Sequence, residues 1–123
     1  MTLSTEPAFN KSFSVQINGL QTDIVFHQFI NKMLLIITQY EKINNIFVAR
    51  NEQTFNGLVQ NKSVDIQHKF GKDTDDIQSA LMYLIPRVPA LRDSEMDLVV
   101  NIGLKEVNKN VLGTLEKVLN ELL

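Results

Sequence analysis

The chain has 123 residues, of which 44% are hydrophobic and 21% are charged, and its net charge is −2. This length and composition predict one domain with a packed core, and a slightly acidic chain without a basic block argues against nucleic-acid binding. Cysteine is absent, which excludes disulfides, cysteine-ligated zinc and a thiol nucleophile and favours a reducing compartment such as the cytoplasm or nucleus.

The beginning of the chain, Met1–Pro7, has neither the basic start nor the apolar segment of a signal peptide. The apolar runs are also far shorter than the roughly 20 residues that span a bilayer. We therefore expect no membrane association. Residues 1–10 are predicted to form a flexible tail, and residues 11–123 a single domain.

The first element is a predicted β-hairpin. Two alternating runs, 13–17 and 20–26, are separated by Asn18-Gly19, the residues that a type I′ turn prefers because both central positions have positive φ. A two-residue turn pairs Ile17 with Leu20. Two sheet faces follow from this pairing. The first face carries Phe13, Val15, Ile17, Leu20, Thr22, Ile24 and Phe26, and the second face carries Ser14, Gln16, Asp23, Val25, His27 and Phe29.

The same counting extends to two further strands. A turn at Asn31-Lys32 pairs Ile30 with Met33, and a turn at Glu41-Lys42 then leads into a fourth strand. Because a shift of one residue exchanges the two faces, each assignment depends on the turn before it. The count assigns Met33, Leu35, Ile37, Ile46 and Val48 to the first face, and Leu34, Ile36, Thr38, Tyr40, Phe47 and Ala49 to the second.

The remaining elements are a loop, two strands and two helices. The polar stretch 51–62 is predicted to be a long, mobile loop, and alternating strands follow at about 64–70 and 98–104. Apolar residues recur at helical spacing after a predicted cap at Asp73 or Thr74. Pro86 is expected to end this helix, and Pro89 to keep the connection extended or turned. A final helix is predicted at about 108–122. The predicted fold is α+β, a six-stranded antiparallel sheet with both helices on its first face.

No pattern in the chain predicts catalysis. Asp73–Asp76 lacks the ligands of a calcium loop, and Gly71–Thr74 lacks the complete phosphate-loop pattern. The two histidines have no ligand partner at helical spacing. We therefore expect a protein that is not an enzyme and that holds no metal or cofactor. A ligand pocket on the second face has only His27, Thr38 and Asn101 as candidate polar groups, so it is the weaker alternative.

The second face still carries large apolar side chains after two helices have covered the first. Burying each such side chain stabilises by roughly 1.5–3 kcal/mol, so we expect a cover. A second sheet stacked on this face, in a β-sandwich dimer, is the most economical one. A fold-over of loop 51–62 is the alternative. The predicted dimer interface consists of Val25, His27, Phe29, Leu34, Ile36, Thr38, Phe47, Val99 and Asn101.

The segment from Phe26 to Val48, with its apolar strand ending in Thr38-Gln39-Tyr40 and a short Lys-containing turn, resembles the core hairpin of the proteasome assembly chaperone 3 family. The likeness continues through the helix, the strand Leu98–Leu104 and the closing helix, in order and spacing over roughly residues 12–123. It is weakest in 51–62 and around Pro86 and Pro89.

This resemblance implies a chaperone without catalytic activity. It implies pairing, sheet to sheet, with a related assembly chaperone or a second copy, and binding of α-type subunits during α-ring assembly of the proteasome core particle. No subunit-contacting residue follows from the motif. A roadblock-like or longin-like dimeric scaffold module is the alternative, although such modules place helices earlier among their strands than this chain does.

Overall fold

The structure is a computed structural model that describes residues 9–123, with side chains described except at 9, 10, 53–56 and 59–62. The predicted tail lies outside the described residues at 1–8, while Phe9 and Asn10 already belong to the first strand. The elements in chain order are β1 (Phe9–Ile17), β2 (Leu20–Gln28), β3 (Lys32–Thr38), β4 (Asn45–Asn56), β5 (Val59–Gly71), α1 (Asp75–Arg87), α2 (Pro89–Arg92), β6 (Asp97–Gly103) and α3 (Lys109–Leu122).

The six strands form one mixed sheet in the order β1-β2-β3-β6-β4-β5. Neighbouring strands are antiparallel except β3 and β6, which are parallel. The prediction of a strictly antiparallel sheet was therefore wrong. The chain between β3 and β6 contains β4, β5, α1 and α2, which is long enough for the crossover that a parallel pair requires.

The first hairpin has the predicted register. Ile17 pairs with Leu20 and Phe13 with Ile24, and the turn residues Asn18 and Gly19 both have positive φ, 52° and 78°. The next turn is longer than predicted, because Gln28 rather than Ile30 pairs with Met33. The shift is two residues, so the alternation is preserved and Met33 and Leu35 remain on the first face.

The fourth strand is the main correction. β4 does not pair with β3; β6 lies between them, and Phe47 pairs with Val100. Phe47 and Ala49 therefore lie on the first face, where Phe47 is 0% exposed, and Ile46 and Val48 lie on the second. The predicted faces of β4 were exchanged because they were counted through a hairpin between β3 and β4, and no such hairpin exists.

Residues 51–62 form strands, not a loop. β4 and β5 pair continuously to Asn56 and Val59, and Gly57 has φ 65°, the positive value that a II′ hairpin turn places at its first central residue. The pairing of β4 with β6 is confined to Phe47–Ala49, so the part of this hairpin from Glu52 to Ser63 extends beyond the sheet as a two-stranded arm.

Three helices, not two, accompany the sheet. Thr74 caps α1, with its hydroxyl accepting from the amide of Ile77 at 3.2 Å, and Asn108 caps α3 in the same way. Pro86 does not end α1, which continues to Arg87. Pro89 begins the one-turn α2, because proline suits the first position of a helix, where no amide donor is needed.

The core lies between the first face and the helices. Its strand side chains include Ile24, Leu35, Ile37 and Val100, each no more than 1% exposed. The apolar sides of α1 and α3 cover them, through residues such as Leu81 and Leu115. Within the described part of the chain, no helix is long and apolar enough to cross a membrane.

Candidate functional site: the second face of the sheet

Six half-buried aliphatic side chains lie together on the second face. The register places Val25 beside Ile36, and Leu34 and Val48 on either side of Val99. This cluster spans four adjacent strands, about 14 Å at a strand spacing of 4.8 Å. All helices pack on the other side, so it has no cover within the described chain. Its members are Val25, Leu34, Ile36, Ile46, Val48 and Val99.

Most of the predicted interface residues share this face. His27 lies next to Leu34 in the register, and Phe29 extends the face past the end of β2, with its ring stacked on His27 at a centroid distance of 6.0 Å. Thr38 and Asn101 are on this face but are buried, and Asn101 is 2% exposed. Phe47 is the exception: it belongs to the first-face core, where its ring lies 5.3 Å from that of His68.

The sequence did not identify Ile46 and Val48 as members of the cluster. Both alternate correctly along β4, but their face depends on which strand pairs with β4. A strand inserted from a position some fifty residues later leaves no signal in the local pattern. Only the sheet order, with β6 between β3 and β4, reveals their place.

A row of alternating charges borders the cluster at one end of the sheet. Lys32 pairs with Asp97 in the register, and Arg50 with Asp65. The guanidinium of Arg50 donates two hydrogen bonds to Asp97, at 2.9 and 3.0 Å. This hydrogen bond lowers the pKa of Asp97 and raises that of Arg50. The second face therefore has an apolar centre and a charged border, the usual anatomy of a protein interface.

The turn after β3 closes the opposite end of the sheet through hydrogen bonds of the Thr38-Gln39-Tyr40 motif. The Gln39 amide donates to the Thr22 hydroxyl at 3.0 Å and accepts from the Lys105 amide at 2.9 Å, which joins β2 to the chain that leaves β6. The Thr38 hydroxyl donates to the Lys42 carbonyl and accepts from the Tyr40 amide. The motif that carries the family resemblance thus holds the sheet end together.

Asn45 joins β4 to β6 beside the cluster. Its side-chain amide donates to the Ile102 carbonyl at 2.8 Å and accepts from the Ile102 amide at 3.1 Å, which is the pattern of a backbone ladder. The same oxygen accepts from the Asn101 amide at 3.1 Å. Asn45 therefore continues the ladder where the backbone of β4 leaves β6, a role that alternation alone does not reveal.

Polar side chains of the second face make structural contacts, although Asn101 Oδ1 is buried without a hydrogen-bond partner. Thr38 and Asn101 hold the turn and the β4–β6 seam, and His27 stacks on Phe29. Among the residues that the structure describes, no group of three or more His, Cys, Asp or Glu side chains could hold a metal ion. The aliphatic cluster is the kind of surface that packs against another apolar surface.

Comparison with known proteins identifies a family for the chain. The family model for proteasome assembly chaperone 3 matches residues 35–122, a range from within β3 to the last residue of α3 that includes the Thr38-Gln39-Tyr40 turn. A search of curated proteins found no match. The family model covers well over half of the 123 residues, and the chain belongs to the proteasome assembly chaperone 3 family.

Proposed function

We propose that this protein is a non-catalytic assembly chaperone that dimerises through the second face of its sheet and binds α-type subunits to promote α-ring assembly of the proteasome core particle. The partner across the face is a related assembly chaperone or a second copy. The observation that supports the dimer is the cluster around Ile36, which lies at the centre of a sheet and has no cover from the residues that the structure describes.

Packing of two such faces is physically favourable. Stacked sheets lie about 10 Å apart and interdigitate their side chains, and each aliphatic side chain that becomes buried stabilises by roughly 25 cal/mol per Å² of apolar area. The six aliphatic side chains would supply the centre of this interface. Phe29 and Phe70 are more than one-third exposed, and Phe70 pairs with Ile46 of the cluster across a register shift in β5. Both would extend the interface at the edges of the cluster.

The charged border fits a role in alignment. The row of Lys32, Asp97, Arg50 and Asp65 crosses four strands with alternating sign, and complementary charges across an interface favour one register over others. A partner whose own border alternates in the opposite order would match it. Polar side chains at the centre of the face, such as Asn101, are buried and out of reach of a partner. The charged border, and not the centre, would therefore distinguish one partner from another.

The role in proteasome assembly is supported by family membership. We place its action in the cytoplasm or nucleus.

The dimer is tested with Ile36→Asp. A carboxylate at the centre of the stacked faces would be buried without a partner, so we expect the dissociation constant of the dimer to increase by about thirtyfold or more. Size-exclusion chromatography with light scattering would measure the mass over a dilution series of the protein alone, and with any sister chaperone that co-purifies. Circular dichroism would verify that the variant folds.

Lys117→Asp is the matched control, because Lys117 is exposed on α3, on the far side of the molecule. It should leave the mass unchanged. A wild-type protein that remains monomeric at micromolar concentration and recovers no sister chaperone would contradict the proposal, as would an Ile36→Asp variant that assembles normally. Affinity purification from cell extract should recover α-type proteasome subunits with the wild-type protein, and their absence would contradict the proposed role.

A further inference from the structure

A large cleft lies on the helix side of the sheet, away from the second face. Its volume is about 780 Å³, within the range of ligand sites in proteins and about twice the 360 Å³ of the pocket that shares Asp93 and Ser94 with it. The walls are the base of the β4–β5 arm, the second half of α1, and the segment from Arg92 to Glu95. The first-face core does not fill the space between these elements.

The floor and one wall of the cleft are apolar. Val64 lines it from β5, and Met82 and Pro86 line it from α1. Met82 is 49% exposed, so much of its side chain is open to the cleft and to solvent. Asn51 fixes the opposite wall, since its amide donates to the carbonyls of Leu91 and Ser94 at 2.8 and 3.0 Å. The cleft is thus pre-formed around an apolar anchor position.

Among the charged side chains of the cleft, carboxylate acceptors outnumber cations by three to one. Arg92, the cation of the lining, donates two hydrogen bonds to the adjacent Asp93, at 2.8 and 3.0 Å. The carboxylates of Glu52 and Glu95 complete the lining. An occupant that supplies donors and positive charge would complement this surface.

From the apolar anchor, the surplus of acceptors and the charge, we infer that the cleft binds a basic segment of a partner protein, with one apolar side chain against Val64, Met82 and Pro86 and a neighbouring arginine or lysine beside Glu52 and Glu95. The apolar wall of the cleft and the second face are on opposite sides of the sheet, whereas Glu52 follows Arg50 by two residues on β4 and so lies on the second-face side of the rim. A dimer formed through the aliphatic cluster would leave the apolar wall accessible, and the inference does not depend on the dimer.

The test uses a fluorescently labelled short peptide with a central leucine flanked by arginines, and a matched peptide with glutamates in place of the arginines. Fluorescence anisotropy should show binding of the arginine peptide and much weaker binding of the glutamate peptide. Glu52→Lys combined with Glu95→Lys should lower the affinity for the arginine peptide by about tenfold or more, because two attractive charges become repulsive. Met82→Asp should weaken it by removing the apolar anchor.

Two controls separate this site from others. Glu121→Lys reverses an exposed carboxylate on α3 and should leave binding unchanged. Ile36→Asp should also leave it unchanged, so a failure of the proposed dimer is distinguishable from a failure of this inference. In NMR spectra of the full chain, the peptide should shift the amides of Val64, Met82 and Glu95.

Three results would overturn the inference: no binding of the arginine peptide, equal binding of both peptides, or binding that the charge reversals leave intact. A second copy of the chain as occupant is also tested. If Met82→Asp abolishes self-association while Ile36→Asp does not, the cleft is a self-association surface and not a site for a basic segment.

Discussion

The two faces of the sheet are built from the same strands and the same aliphatic residue types, yet they differ in cover. Leu35 and Ile37 on the first face are at most 1% exposed under the helices, whereas Leu34 and Ile36, their neighbours on β3, are only half-buried. Alternation gives both faces an apolar centre. The difference shows that an apolar pattern alone does not fix burial in the monomer, because the helices cover only one of the two faces.

The strongest test of this comparison substitutes two adjacent leucines of β3. Leu35→Ala should lower the free energy of unfolding by about 2–5 kcal/mol, because it opens a cavity in a packed core. Leu34→Ala should cost roughly 1 kcal/mol or less in dilute protein and should instead weaken self-association. Urea unfolding at low concentration measures both. Equal losses would mean that the two faces are equally covered in the monomer.

The hydrogen bonds between β4 and β6 support both faces of the sheet, so we expect Asn45→Ala to cause the next largest loss of stability. It leaves the amide and carbonyl of Ile102 unpaired in the interior, which costs about 1–3 kcal/mol. Thermal and urea unfolding would measure the loss. Asn110→Ala, at an exposed position of α3, should be neutral or slightly stabilising because alanine favours helix. A neutral Asn45→Ala would show that the ladder does not need this side chain.

The charged border should have a smaller, pH-dependent effect on the monomer. The hydrogen bond from Arg50 lowers the pKa of Asp97 below its ordinary value of 3.8, so the folded state holds this carboxylate ionised more readily than the unfolded state does. Its stabilisation is present above pH 3.8 and is lost as the pH falls through the lowered pKa. Wild type should exceed Asp97→Asn in stability at neutral pH, and the difference should vanish in acid.

Chemical unfolding at several pH values would measure this difference, with Glu121→Gln on α3 as the control carboxylate. Because the Arg50–Asp97 pair is exposed to solvent, added salt should also reduce the difference. A difference that persists unchanged in acid would contradict the role assigned to the ion pair.

The smallest effect is expected from removing the arm. Residues 53–62 can be replaced by Asn-Gly, since Glu52 and Ser63 face each other in the register and a two-residue turn can join them. β4 contacts β6 at Phe47–Ala49, below the arm, so stability and self-association should be nearly unchanged. If dimerisation instead increases on deletion, the arm covers part of the second face in solution.

Much of the candidate site followed from alternation. Val25, Leu34, Ile36 and Val99 were assigned to the second face from the sequence, and the structure places them there. Phe47 was assigned to the wrong face, and Ile46 and Val48 were missed for the same reason. Neither the cleft at Met82 nor the ladder role of Asn45 was predicted, because each depends on residues that are far apart in the chain.

The sequence by itself determined the features that depend on near neighbours. Asn18-Gly19 set the register of the first hairpin through its positive φ values, the cap signal at Asp73 or Thr74 marked where α1 begins, and alternation along β2, β3 and β6 sorted their side chains by face. These follow from local backbone geometry, which a few adjacent residues specify.

Only the tertiary structure decided the position of β6. Its insertion between β3 and β4 made one strand pair parallel, moved Phe47 into the core and placed Val48 beside Val99 on the second face. The choice is governed by the combined packing of strands and helices separated by many residues in the chain. No local pattern records it, because a strand with two apolar faces fits beside several others equally well until the whole sheet is assembled.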